Sequence, residues 1–185
     1  QRSNMRIHLV GLGCPKNAVD GERMMELLRR AGHRPVSEPG KADCIIVNTC
    51  AFIEPARIES TEAIRTAAAA KKPHQLLVVA GCLPLGAGRE LLAQLPGVDG
   101  LLGTLRWHEA PAFLRALRKH RGLAWLGDPD TSGEDAPGLR ASGNATAYLK
   151  IAEGCSAGCA FCTIPLLKGP YHSRPAEAIV EEARQ

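Results

Sequence analysis

The sequence contains 185 residues, of which 45% are hydrophobic and only 4% aromatic, so aliphatic side chains must fill one full domain and part of a second. The formal net charge is +4, and no lysine–arginine run of about five or more occurs, so the charge permits a nucleic-acid partner without indicating one. No run of about 18 apolar residues predicts a membrane-spanning helix, and the polar N-terminus lacks the apolar region of a signal peptide. These features predict a cytoplasmic protein without membrane contacts.

Short apolar runs alternate with amphipathic stretches over the first two thirds of the chain. The runs are continuously apolar, which is typical of parallel strands that helices cover on both faces. Asp20 stands where an N-cap of the first helix is expected, and Gly32 where that helix should stop. The chain therefore predicts an open, doubly wound α/β sheet. The predicted strands are 7–10, 35–37, 44–47, 76–80 and 98–102, and the predicted helices are 22–30, 54–70, 90–95 and 108–119.

A change in composition predicts a domain boundary. Residues 127–144 are rich in Asp, Pro, Ser, Gly and Glu and have no periodicity, which indicates a linker. The strand predicted at 147–151, the cysteine-rich loop and the helix predicted at 175–184 are too few elements to close a core. We therefore predict a sheet domain at 5–122, a linker at 123–146 and the beginning of a second domain at 147–185. We also expect Met5 to be the natural start and the chain to be part of a longer enzyme.

Seven cysteines in a chain without a secretion signal favour metal or redox chemistry over disulfides. Cys155, Cys159 and Cys162, called the loop triad below, have the spacing C-x3-C-x2-C. Three thiolates leave one iron of a four-iron cluster open, whereas a structural zinc site needs four protein ligands. The spacing thus favours iron–sulfur. Two alternatives are a zinc site completed by His172 and three thiols that simply pack in a loop.

Three further cysteines each follow a predicted strand by two to four residues. They are Cys14, Cys50 and Cys82, called the sheet triad below. Loops at the carboxyl edge of an open parallel sheet converge on the crevice where such sheets bind ligands. The sheet triad is therefore a candidate for a second cluster with a free iron. Cys44 lies inside a strand and is interpreted as a buried apolar residue.

Two sets of motifs resemble known families. The loop triad, with Phe161 before its last cysteine, resembles the radical S-adenosylmethionine superfamily. The segments 13–17 (GCPKN), 48–53 (NTCAFI) and 80–83 (AGCL) resemble the N-terminal domain of methylthiotransferases. The segments 13–17 and 148–155 (YLKIAEGC) are most similar to the branch that modifies a ribosomal protein. Lys168 departs from the pattern, because the family usually has arginine there.

The resemblance implies two [4Fe–4S] clusters, one on each triad, and S-adenosyl-L-methionine as co-substrate. The loop triad would be catalytic, with Phe161 beside the adenine, and the second domain would begin a radical (β/α) partial barrel. The implied reaction adds a methylthio group to the β-carbon of an aspartate of small-subunit ribosomal protein twelve. Flavodoxin or ferredoxin would donate electrons, and any RNA contact would belong to a C-terminal domain absent here.

Two other functions stay open at this point. One is methylthiolation of transfer-RNA adenosine by the other branch of the family, and the second is a non-catalytic iron–sulfur module. We expect the 185-residue chain alone to be inactive whatever its parent does.

Overall fold

The computed structural model of the chain describes residues 4–127 and 146–184. Six parallel strands form one sheet in the order β2-β1-β3-β4-β5-β6. This confirms the predicted open α/β sheet. The strands are β1 (Arg6–Gly11), β2 (Arg34–Pro35), β3 (Cys44–Thr49), β4 (Leu76–Gly81), β5 (Gly100–Gly103) and β6 (Leu123–Trp125).

Helices cover both faces of the sheet and create two apolar cores. On one face, α1 (Pro15–Arg30) and α5 (Ala110–Leu117) pack on the strands through side chains such as Leu28 and Phe113. On the other face lie α2 (Glu54–Ala70), α3 (Cys82–Ala87) and α4 (Leu91–Gln94), with Ile64 fully buried. Every residue of β3 and β4 is buried, which explains the continuous apolar runs at 44–47 and 76–80; the last two residues of β3, Asn48 and Thr49, are polar and buried.

The first helix corrects one expectation from the sequence. Asp20 is not its N-cap, because α1 begins at Pro15 and the N-cap position belongs to Cys14. Proline suits the first helical position, since its missing N–H would have no partner there and its φ is already helical. Asp20 instead lies within the helix and is buried. Gly32, with a φ of +96°, follows the helix end as expected.

Several short elements were not predicted from the sequence. The helix α3 and a 3-10 segment at Thr104–Glu109 follow β4 and β5, respectively. Strand β6 lies at the beginning of the segment interpreted as a linker, and it pairs with β5. Short elements carry too few residues for a detectable period, so only their tertiary partners specify them.

The second part of the described chain contains β7 (Ala152–Glu153), α6 (Ile164–Lys168), β8 (His172–Ser173) and α7 (Ala176–Arg184). Strands β7 and β8 pair antiparallel. The strand predicted at 147–151 is wrong: these residues have no strand partner in the described parts of the chain, and Tyr148 and Ile151 are exposed. Apolar β-formers alone do not make a strand without a ladder of backbone hydrogen bonds, and here the Ile151 carbonyl accepts a single backbone bond, from Arg174 N–H. The beginning of a barrel stays a prediction.

Most of the predicted linker lies outside the described residues. Within the described ranges, no helix combines the length and the apolar character needed to cross a bilayer.

Candidate functional site

The first two cysteines of the sheet triad lie at the point where the sheet reverses its strand order. From β1 the chain passes to β2 on one side and then to β3 on the other, so the β1–β3 edge is the switch point at which such sheets bind ligands. Cys14 follows β1 and is exposed, and Cys50 follows β3 and is buried. A Cβ atom at Gly13 would lie 2.4 Å from Cβ of Cys50 and 3.0 Å from its Sγ. The two loops are therefore in contact.

Two buried asparagines hold these loops together. The Nδ2 group of Asn17 donates to the carbonyl of Leu12 at 2.7 Å and to that of Asn48 at 3.3 Å. Asn48 returns a hydrogen bond from its Nδ2 to the Asn17 carbonyl at 2.8 Å. These asparagines therefore stabilise the backbone of the loops. The backbone of Cys50 is held separately, because its N–H donates to Ser60 Oγ and its carbonyl accepts from the same hydroxyl.

Cys82 is the first residue of α3, directly beyond β4. Thr49, at the end of β3, connects β3 to the junction between β4 and α3. Its Oγ1 donates to the Ala80 carbonyl at 2.6 Å and accepts from the Leu83 N–H at 3.3 Å. Burial raises the pKa of the Cys82 thiol to about 11, Lys168 opposes the rise, and nearby Cys50 adds to it.

The loop triad lies between β7 and α6. Cys155 N–H donates to the Gly169 carbonyl at 3.1 Å, which closes the base of the loop, and Cys162 N–H donates to the Cys159 carbonyl at 3.1 Å. Gly154 has a φ of +70°, and a Cβ atom there would lie 2.0 Å from the Pro170 carbonyl oxygen, so only glycine fits. Cys159 is exposed, and the other two cysteines are half-buried.

Phe161, the expected adenine neighbour, leaves 88% of its surface exposed. It therefore does not pack under the loop. The Ala157 N–H points at Cys155 Sγ from 3.5 Å, a contact that suits a thiolate acceptor. Within the loop, Phe161 and Cys159 are therefore the members exposed to solvent.

An ion pair joins the two cysteine groups. Lys16, two residues after Cys14, places its Nζ 3.3 Å from Glu153 Oε1 and 3.3 Å from the Ala152 carbonyl oxygen. Glu153 is two residues before Cys155. The beginning of the loop triad therefore lies beside the first loop of the sheet triad.

Beneath this pair lies a buried network of four charges, named the junction network: Asp20, Lys150, Glu153 and Lys168. Asp20 contacts Lys150 Nζ through Oδ1 at 2.7 Å and Lys168 Nζ through Oδ2 at 2.9 Å. Glu153 also contacts both ammonium groups. Burial opposes ionisation of the two carboxyls, but the lysines outweigh it and lower the pKa of each. All four groups are therefore held charged in a balanced cluster.

A second buried contact extends the junction. The guanidinium of Arg23 in α1 reaches both carboxylate oxygens of Glu182 in α7, at 3.0 and 2.7 Å. Arg174 places Nη1 2.6 Å from Glu182 Oε2 and donates to the Lys150 carbonyl. Two arginines therefore share one carboxylate between the sheet and the last helix.

A cavity of 410 Å³ opens between the sheet edge and α6. Its lining includes Ala51, Leu83 and Thr163, the residues that directly follow Cys50, Cys82 and Cys162. The Oγ1 atom of Thr163 is buried without a hydrogen-bond partner. The cavity is therefore lined by residues adjacent in sequence to members of both triads, and not by the cysteines themselves.

In residues 4–127 and 146–184, no three His, Cys, Asp or Glu side chains stand close enough to form a finished metal site. The donor set nevertheless suits an iron–sulfur cluster, since all seven cysteines are free and three of them lie at one sheet edge. Cys44 is fully buried in the apolar core with its pKa raised by burial, as predicted. The ligand assignments stay predictions, and so does the zinc alternative with His172, which is exposed.

The charged junction was missed by sequence reasoning. One signal was present: Asp20 and Arg23 share a helical spacing with the core residues Met24 and Leu28, which places charges on an apolar face. The role of Lys150 was not recognised from the sequence, because this residue lies in an apolar run that resembled a strand.

The contact between the first two loops predicts the effect of a glycine substitution. Gly13→Ala is expected to destabilise the chain by about 2–4 kcal/mol, because φ is +90° there and the new methyl collides with Cys50. Gly122→Ala is the matched control, since φ is +80° but no atom lies within 4 Å, so only about 1–2 kcal/mol of backbone strain applies. Urea unfolding of both variants measures the difference. Equal losses would show that the loops are not packed as described.

Comparison with known proteins identifies the family of the chain. Residues 6–103, more than half of the chain, match the family described as "Uncharacterized protein family UPF0004", and the chain belongs to that family. A ribosomal protein uS12 methylthiotransferase RimO from Trichlorobacter lovleyi is 44% identical over 99% of this chain and 42% of its own length. The same-named proteins of Symbiobacterium thermophilum and Myxococcus xanthus are 41% and 43% identical, over 98% and 97% of this chain. The chain spans about two fifths of the length of these relatives. The resemblance to methylthiotransferases of the protein-modifying type is confirmed.

Proposed function

We propose that the chain supplies the sulfur-holding domain and the radical-forming loop of an enzyme that methylthiolates an aspartate β-carbon of ribosomal protein uS12. Relatives of this name match nearly the whole chain. The observation that carries the proposal is the shared cavity, bordered by residues adjacent to both cysteine triads. We further propose a cytoplasmic location, S-adenosylmethionine as co-substrate, and flavodoxin or ferredoxin as electron donor.

The two triads would hold one [4Fe–4S] cluster each. When bound, the loop-triad cluster would supply the electron that cleaves S-adenosylmethionine, and the sheet-triad cluster would hold the sulfur for transfer. The chain's own contribution is placement: a carbon radical must meet the sulfur within bonding distance before other groups quench it. The cavity lined by residues next to Cys50, Cys82 and Cys162 has room for a short side chain such as aspartate.

Charged residues of the chain would fix the position of the two triads relative to each other. Lys16 and Glu153 connect the two triads directly, and the junction network lies immediately below them. Phe161 is exposed beside the loop triad and is free to stack on an adenine ring. Most of the cavity lining is apolar and includes Leu83 and Leu167, both of which are buried.

A chimera tests this function. The chain would replace the matching N-terminal two fifths of the Trichlorobacter relative, and the product would be reconstituted anaerobically with iron and sulfide. With uS12, S-adenosylmethionine and a reductant, we expect 5′-deoxyadenosine and a methylthio mass shift on one aspartate. The 185-residue chain alone should be slower by about 100-fold or more, because misplacement of ~1 Å has that effect.

The rival functions give other results in the same assay. Methylthiolation of transfer RNA instead of uS12 would assign the chain to the RNA-modifying branch. Cluster binding without 5′-deoxyadenosine from the chimera would indicate a non-catalytic iron–sulfur module. A chimera with Cys44→Ala should remain active, since that thiol is sealed in the core.

A further inference from the structure

Lys168 contacts groups from three separate parts of the fold. Its Nζ lies 2.9 Å from Asp20 Oδ2 in α1, 2.7 Å from Thr104 Oγ1 after β5, and 3.4 Å from Glu153 Oε2 in β7. The side chain is only 5% exposed. A lysine ammonium has three donors that point in different directions, which matches three acceptors from different elements.

The helix that carries Lys168 covers the third cysteine of the sheet triad. Leu167 of α6 belongs to the same buried apolar cluster as Cys82 and Leu83. A Cβ atom at Gly86 in α3 would lie 3.4 Å from Leu167 Cδ2, so the two helices pack directly. Cys82 is only 6% exposed. The last residue of α6 is thus tied to the sheet, while the residue before it packs in the apolar cluster that contains Cys82.

We propose that Lys168 is a positioning residue: by binding Asp20, Thr104 and Glu153 it holds α6 over Cys82 and so sets the separation between the two cysteine triads. The role of that separation in catalysis rests on the proposed function. The contact itself is a property of the iron-free chain. The same ammonium also compensates Asp20, which would otherwise be a buried carboxylate with one fewer cation.

The test measures thiol access in the iron-free 185-residue chain. Alkylation by iodoacetamide is followed by mass spectrometry at Cys82 and at Cys44, which is fully buried in the sheet and reports global unfolding. In Lys168→Met we expect Cys82 to react about tenfold faster or more, with Cys44 unchanged. Loss of a nearby cation disfavours the reactive thiolate, so a faster reaction reports access and not reactivity.

Further variants keep the test decisive. Lys168→Arg keeps the charge and should restore most of the protection of Cys82. In the double variant Asp20→Asn with Lys168→Met, the buried carboxylate that has lost one of its two cations is removed as well. This variant should therefore fold while Cys82 stays accessible. Lys41→Met, which removes an exposed lysine paired with exposed Glu38, should change neither rate.

Two results would overturn the positioning role. One is a Cys82 rate in the double variant equal to that of the unaltered chain, because α6 would then stay in place without the ammonium. The other is an equal acceleration of Cys82 and Cys44 in every Lys168 variant, including arginine, because Lys168 would then support only global stability. Absence of iron binding after reconstitution would defeat the proposed function and leave this measurement unaffected.

Discussion

Replacing Cys159 with alanine is expected to remove half of the iron that the reconstituted chain binds. Two four-iron clusters correspond to about eight irons per chain, and a three-cysteine site that loses one thiolate no longer holds its cluster. Cys159 is the most exposed member of the loop triad, so its replacement leaves the fold intact. Anaerobic reconstitution followed by iron and sulfide analysis should give about four irons in this variant.

The other cysteines supply the controls for this measurement. Cys82→Ala should also leave about four irons, and the double variant with Cys159→Ala should leave none. Cys44→Ala should bind as much iron as the unaltered chain, because its thiol is buried in the core away from both triads. Loss of half of the iron in Cys44→Ala would mean that the sheet triad has been assigned wrongly.

Arg23→Met is expected to reduce the free energy of unfolding by about 3 kcal/mol. Arg23 and Glu182 are both buried, with 1% and 7% of their side chains exposed, and Nη2 of Arg23 donates to both carboxylate oxygens. Breaking such a pair leaves a carboxylate without one of its cations, which typically costs about 3–5 kcal/mol. Arg174 still contacts Glu182, which places the effect at the lower end of that range. Urea unfolding measures the change.

Arg29→Met is the matched control on the same helix. Arg29 also binds a carboxylate bidentately, that of Glu26, but 61% of its side chain is exposed and Arg30 contacts the same carboxylate. Its loss should change stability by less than about 1 kcal/mol. Similar effects of the two substitutions would contradict a closely packed junction between α1 and α7.

The apolar pattern was sufficient to predict the sheet. Strands β3 and β4 are buried on both faces, so their sequences had to be continuously apolar, and the residues after them had to reach one edge. The position of Cys14, Cys50 and Cys82 beyond three strands followed from the same pattern. Asp20 was misassigned as a cap because its type suits that role locally, whereas its real partners are 130 and 148 residues away along the chain.

The sequence by itself determined the parallel sheet, the C-x3-C-x2-C loop and the buried state of Cys44, because local spacing and hydrophobicity decide these features. Tertiary structure alone decided that Lys16 meets Glu153, that Lys168 meets Asp20, and that residues next to members of both triads line one cavity. The helical spacing of Asp20 and Arg23 indicates that charges lie on an apolar face, but packing and desolvation decide which distant charges they meet.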